Sequence, residues 1–110
     1  MATHELTAEN FETTVKEHPL VFIDFWATWC GPCRAFGPIY EKASESHDDV
    51  WFTKVDIDQQ QGLAEAAGIS AVPTLIVLKN GEVVFKQAGA LRASDLDTLI
   101  DKVKEETPAA

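Results

Sequence analysis

Apolar side chains recur along this chain in two rhythms, and the change from one to the other marks its elements. From Leu20 to Ala27 the residues are nearly all apolar and rich in β-formers, the pattern of a central strand covered on both faces. Val50 to Ile57 predicts the next strand, and Thr74 to Leu78 and Val83 to Phe85 are two shorter β-rich runs. Asn80-Gly81 between the last two predicts a hairpin, because both turn residues there must accept positive φ. Helical spacing fills the gaps. Phe36, Ile39, Tyr40 and Ala43 predict a helix directly after the first strand, with Cys30 at the junction and a kink at Gly37-Pro38. Thr7 predicts the N-cap of an earlier helix whose inner face carries Phe11 and Val15. Asp58 predicts the cap of a short helix through Leu63, Ala66 and Ala67, ended by Gly68. Ser94-Asp95-Leu96-Asp97 resembles a capping box with Asp in place of Glu or Gln. Leu96, Leu99, Ile100 and Val103 then follow the i, i+3, i+4, i+7 spacing of an amphipathic helix.

Strands and helices alternate at first, which implies parallel strands joined by right-handed crossovers. The hairpin adds antiparallel strands at the edge, and a helix closes the chain. The expectation is an α/β fold, a mixed sheet with helices on both faces, forming one domain over residues 1–110. No repeat, low-complexity tract or linker interrupts it, and only Thr107-Pro108-Ala109-Ala110 reads as a frayed tail.

Composition narrows the function classes. The chain is 45% hydrophobic and 25% charged, with a formal net charge of −9. Its lysines and arginines are scattered rather than gathered into a patch, which argues against nucleic acid as a partner. Acidity implies solubility and some electrostatic choice among partners. The first residues, Met1-Ala2-Thr3-His4-Glu5, show no basic segment leading into an apolar stretch, so no signal peptide is expected. No apolar run approaches the roughly 18 residues a membrane span needs, and Leu20–Ile23 is cut by Asp24. A cytoplasmic protein is the expectation.

Two cysteines, Cys30 and Cys33, stand three residues apart. Such a pair in a reducing compartment is more often redox-active or metal-binding than structural. Structural zinc needs four ligands, and His4, His18 and His47 show no ligand spacing. A structural disulfide over so short a loop would constrain the unfolded chain little. The α/β setting favours redox work. At a helix N-terminus, unpaired amides and the dipole favour a thiolate at Cys30. Cys33 falls on the same helical face, so the first sulfur can be exposed while the second lies deeper. Gly31 lets another backbone approach, and Pro32 fits the first helical turn.

Asp24 interrupts the most hydrophobic strand, where a carboxylate is costly unless paired or protonated, and burial pushes its pKa toward neutrality. On its own, such an Asp is more often a satisfied structural group. Lys54 reads as an ordinary snorkelling strand lysine and Pro73 as a turn or edge proline. Trp26 and Trp29 read as one buried and one more exposed aromatic, and Trp51 as core. The three histidines sit in polar surroundings and are expected to be solvated.

Phe25-Trp26-Ala27-Thr28-Trp29-Cys30-Gly31-Pro32-Cys33 resembles the active-site segment of the thioredoxin family almost letter for letter. Val72-Pro73-Thr74, Lys79-Asn80-Gly81 and Gly89-Ala90-Leu91 resemble further motifs of that family at the expected distances. The resemblance covers nearly the whole chain. It implies a mixed five-stranded sheet flanked by four helices. It makes Cys30 the nucleophile, Cys33 the resolving cysteine, Asp24 the buried aspartate that exchanges a proton with Cys33, and Lys54 the lysine that tunes Asp24. Pro73 would be cis and packed on the cysteine pair. Trp29, Gly31, Pro32, Val72, Pro73, Thr74 and Gly89 would bind substrate.

The activity implied is protein-disulfide reduction by a monomer with no cofactor or metal of its own. A thioredoxin reductase, which carries the NADPH and FAD chemistry, would recycle it. Peroxiredoxin, ribonucleotide reductase and methionine sulfoxide reductase are the kinds of target the family implies, with no nucleic acid or membrane partner. Isomerases and strong oxidants typically place His before the second cysteine, so Gly31-Pro32 resembles the reducing branch. A non-catalytic binding module is the other reading, and the intact Cys30, Cys33, Asp24 and Pro73 set argues against it. The chain departs from the commonest bacterial pattern at Arg34, where lysine is frequent, at Ser70-Ala71, where arginine and glycine are common, and at Leu78, where phenylalanine is frequent.

Overall fold

The apolar run after Pro19 becomes the middle of the sheet. In the computed structural model, which describes residues 2–105, it forms β2 (Leu20–Trp26), and every residue of it but Trp26 is buried. The other elements, in chain order, are β1 (Thr3–Glu5), α1 (Phe11–Glu17), α2 (Gly31–Ser46), β3 (Trp51–Asp56), α3 (Gln61–Ala66), β4 (Thr74–Lys79), β5 (Glu82–Ala88) and α4 (Ala93–Glu105). The five strands lie in the order β1-β3-β2-β4-β5. The first three are parallel, and β4 and β5 are antiparallel to their neighbours.

Alternation along β2 divides the core in two. Leu20 and Phe22 face α2 and α4, packing with Phe36, Tyr40, Leu96 and Ile100. Val21, Ile23 and Phe25 face the opposite layer, where Phe11, Val15, Leu63 and Ala67 bring in α1 and α3. Burial on both faces explains why this strand reads as a continuous apolar run rather than an alternating one. Three buried polar side chains are tied down: Tyr40 Oη donates to Thr53 O at 2.8 Å, Thr53 Oγ1 to Phe22 O at 2.8 Å, and Lys79 Nζ to Val103 O at 3.1 Å.

Several expectations shift. The hairpin forms as read, with Asn80 at φ 51° and Gly81 at φ 84°, but of its two strands only β5 lies at an edge of the sheet. β4 is interior, because β2 takes its other side. Thr7 does not cap α1. It exchanges hydrogen bonds with Asn10 (2.8 and 3.2 Å), and Asn10 is the cap residue, so the helix starts at Phe11. Asp58 does not cap α3 either, since Gln60 stands there. Gly68 ends that helix as expected, at φ 68°, with Gly68 N donating to Glu65 O and Ile69 N to Ala64 O in a Schellman arrangement. α4 begins at Ala93, so Ser94 lies inside it rather than at its cap. Pro38 stands within α2, which runs unbroken from Gly31 to Ser46.

β1 escaped the pattern reading because its three residues carry no apolar alternation, and pairing with β3 creates it. Trp51 is half-buried rather than core, and His4 and His18 stack on its ring at 3.7 and 3.9 Å. His47 contacts Lys104 and Asp97. These imidazoles therefore have partners instead of being simply solvated. The expected frayed tail, Thr107-Pro108-Ala109-Ala110, lies outside the described residues.

Candidate active site

β2 ends at Trp26, and α2 begins at Gly31, so the cysteines stand at the carboxyl end of the central strand. Cys30 is the N-cap of α2, in extended backbone, and Pro32 lies in the first turn, where a missing amide costs nothing. The amide of Cys33 donates to Cys30 Sγ at 3.1 Å. That is a capping bond to sulfur, and it supplies the stabilisation a thiolate needs at this point. Cys30 and Cys33 are joined as a disulfide, with Cα atoms 5.3 Å apart.

The expected contrast between an exposed first sulfur and a deeper second one is not present in this state. Cys30 is 4% exposed and Cys33 6%. Trp26, Ala27, Ile57 and Val72 pack around the pair, and the carbonyl oxygen of Val72 lies 3.6 Å from Cys30 Sγ.

That carbonyl belongs to a cis Val72-Pro73 bond, which turns the chain over the cysteine pair before β4 begins. Gly89 N donates to Pro73 O at 2.8 Å and holds the loop from the other side. Gly89 has φ 103°, and a Cβ there would meet open space, so its backbone conformation, not crowding, demands glycine. Trp29, Gly31, Pro32 and Gly89 are exposed and Val72 is half-buried. Pro73 and Thr74 are buried, and the Thr74 hydroxyl donates inward to Ala71 O at 2.6 Å. Thr74 thus holds the loop rather than offering its side chain to a ligand.

Sequence reading missed one contributor. Trp29 is 64% exposed, yet its Nε1 donates to Asp58 Oδ2 at 3.0 Å. The residue read as a helix cap instead anchors the most exposed aromatic of the site. The available clue was that Asp58 follows a strand running beside the one that leads to Trp29. On the other flank, Arg34 Nη2 donates to Thr28 O at 3.1 Å and ties α2 to the preceding turn.

Asp24 lies on the face of β2 that α2 covers, two residues beyond Phe22 along the strand. It is 1% exposed, and its Oδ1 has no hydrogen-bond partner. Burial raises its pKa to about 7, against a smaller opposing pull from Lys54. Lys54 sits in register with Asp24 on β3, half-buried, with its ammonium 5.0 Å from the centre of the Trp26 ring. The strand therefore holds a carboxyl able to take or release a proton near neutrality. Tyr40, whose hydroxyl is held by Thr53, is pushed well above its usual range by burial and by Asp24, so it stays protonated. Among the described residues no group of three or more His, Cys, Asp or Glu could hold a metal ion, and no helix is long and apolar enough to cross a membrane.

Comparison with known proteins agrees with this geometry. The thioredoxin family model matches residues 2–102. A putative thioredoxin 2 of Streptomyces coelicolor is 49% identical over 104 residues, covering 94% of this chain and 78% of the relative. Thioredoxin-1 of Saccharomyces cerevisiae is 42% identical over 90 residues, covering 82% and 87%. Among solved structures, a Plasmodium falciparum thioredoxin superposes with a TM-score of 0.84 at 37% identity, covering 90% of this chain and 97% of that one. A redox-capable cysteine pair capping a helix, on a fold and sequence shared with these proteins, makes this chain a member of the thioredoxin family and a thiol–disulfide oxidoreductase.

Proposed function

We propose that the chain, acting as one domain over residues 1–110, reduces disulfides in target proteins and is itself reduced again by a thioredoxin reductase. What carries this reading is the placement of Cys30 at the N-cap of α2, where the Cys33 amide is directed at its sulfur. In the reduced protein that arrangement favours the Cys30 thiolate. The thiolate attacks one sulfur of the target disulfide, whose S–S bond breaks, and the departing target thiolate takes a proton from solvent. A mixed disulfide joins Cys30 to the target. Cys33 gives its proton to the ionised Asp24 carboxyl and attacks Cys30 Sγ. The second target thiolate leaves, and the Cys30–Cys33 disulfide remains. Two electrons have then passed from this chain to the target.

Lys54 tunes Asp24 from the neighbouring strand. The target docks against Trp29, Gly31, Pro32 and Val72, with Pro73 and Gly89 presenting backbone beside the pair and Thr74 holding the loop. The NADPH and FAD of the cycle belong to the reductase, so the chain itself works without a cofactor. Peroxiredoxin, ribonucleotide reductase and methionine sulfoxide reductase have the disulfide chemistry such a donor serves. A cytoplasmic monomer fits the reducing surroundings that recycling needs.

The test is reduction of insulin disulfides with NADPH and a thioredoxin reductase, measured by NADPH consumption. Turnover that depends on both cysteines supports the reading, and no turnover with a reductase shown to reduce the pair rejects it. Cys33→Ser should accumulate mixed disulfides through Cys30. If it traps no target while Cys30 remains alkylatable in the reduced variant, Cys30 is not the nucleophile.

A further inference from the structure

β1, β3 and β2 are neighbours, and their common register places Glu5, Lys54 and Asp24 in one row across three strands. The row passes from an exposed carboxylate, through a half-buried ammonium, to a buried carboxylate. Glu5, Lys54, Trp26, Asp56 and Gln60 line a cleft of about 540 Å³ at this corner of the sheet. Lys54 thus has an acid one strand away on either side, each at a backbone spacing of about 4.8 Å. Its ammonium stands over Trp26 rather than closing an ion pair with Asp24.

We propose that Glu5 is a positioning residue for the redox reaction: across the cleft it draws the Lys54 ammonium away from Asp24 and so weakens the lysine's hold on the buried carboxyl. A lysine turned fully onto Asp24 would favour the ionised form and leave a poor proton acceptor. Other groups face this corner, and the two carboxylates among them, Asp56 and Glu41, are each tied through one oxygen. Asp56, also on β3, accepts from Asp58 N at 2.9 Å through its Oδ1. From α2, Glu41 accepts from the Thr3 hydroxyl, and the Tyr40 hydroxyl is held by Thr53 O. Cys33, also on α2, is held in the disulfide and does not titrate in this state. His4, next to Glu5, stacks on Trp51, and burial and His18 hold it below its usual range. Glu5 differs from these in standing in register with Lys54, on the solvent side of it.

The inference concerns the state of Asp24. It rests on the proposed proton exchange with Cys33 only for its consequence in turnover. The experiment is an NMR titration of the Asp24 carboxyl carbon in the oxidised full chain, in the parent, Glu5→Gln, Glu5→Lys, Lys54→Met and the Glu5→Gln/Lys54→Met pair. Glu5→Gln should lower the Asp24 midpoint by about 0.4 unit, the effect of the Lys54 ammonium closing on the carboxyl from roughly 6 to roughly 5 Å at an effective dielectric constant of about 20. Glu5→Lys should lower it further, since a cation at that position repels the Lys54 ammonium toward Asp24. In the Lys54→Met background the Glu5→Gln shift should fall to less than half.

An unmoved midpoint in Glu5→Gln and Glu5→Lys overturns the proposal. So does a shift of equal size with and without Lys54, which would be direct repulsion between the two acids. The pH profile of mixed-disulfide resolution separates the two readings. If the midpoint moves and the profile does not, Asp24 is not the proton partner of Cys33, and the assignment of Glu5 stands.

Discussion

Asp24→Asn should stabilise the oxidised protein in a pH-dependent way. The carboxyl titrates near 3.8 in the unfolded chain and at about 7 in the folded protein, because burial disfavours its charge. Below about pH 3 both states hold the proton, and the residue costs nothing as a charge. From about pH 4 to 7 the unfolded chain loses a proton that the folded protein keeps, so stability falls as pH rises. Above the folded pKa both states are ionised, and the loss is constant. At 1.36 kcal/mol per pKa unit it amounts to about 4 kcal/mol, with no discount for screening at a site 1% exposed. Asparagine fills the same space without titrating.

The stability difference between variant and parent should therefore grow from almost nothing at about pH 3 to about 2 kcal/mol at pH 5 and about 4 kcal/mol at pH 8.5. A pH-independent offset for the buried amide adds to every point. Urea unfolding of both oxidised proteins across this range, followed by circular dichroism, measures it. A difference that stays flat with pH would refute the reasoning. So would one that shrinks as pH rises, since a buried and unpaired carboxyl cannot behave that way.

Other perturbations read other parts of the structure. Asp58→Asn should weaken the bond from Trp29 Nε1 by removing its charge, raising KM for insulin a few-fold with kcat little changed. Fluorescence anisotropy, with Trp26 and Trp51 replaced by Phe, should fall as Trp29 gains freedom. Phe22→Ala empties a fully buried site between β2 and the α2–α4 layer and should cost about 3–5 kcal/mol by urea unfolding. Gly81→Ala should cost about 1 kcal/mol. Its Cβ would meet Val15 at an ordinary 3.6 Å, so the loss comes from φ 84° rather than from a clash, and Gly81→Asn should recover part of it.

Much of this fold is legible because local rules and tertiary packing agree. β2 reads as buried on both faces because it is, and Asn80-Gly81 turns where a two-residue hairpin demands positive φ. The periodic residues of α2 and α4, among them Phe36, Tyr40, Leu96 and Ile100, meet in one core cluster. The placement of the cysteine pair at a strand-to-helix junction follows from the same patterns, with the Gly31-Pro32 spacer adding the helix start. Caps are less legible. Thr7, Asp58 and Ser94 each have a side chain suited to capping, but the helices begin elsewhere. A short polar side chain bonds equally well in a turn or to a distant partner, and local sequence does not choose between these uses.

Chain order and residue type by themselves determined the α/β class, the buried central strand, the hairpin and the chemistry available at Cys30, Cys33 and Asp24. Only the tertiary structure decided what those groups meet. It put β4 inside the sheet, made three polar residues into β1, stacked two imidazoles on Trp51 and brought Asp58 to Trp29. It also set Lys54 between two acids from different strands. Periodicity reports which face of an element is covered, since that depends on residues three or four apart in a helix and two apart in a strand. Strand order and register join residues far apart in the chain, and so the neighbours that tune a carboxyl or hold an indole emerge only when the sheet is assembled.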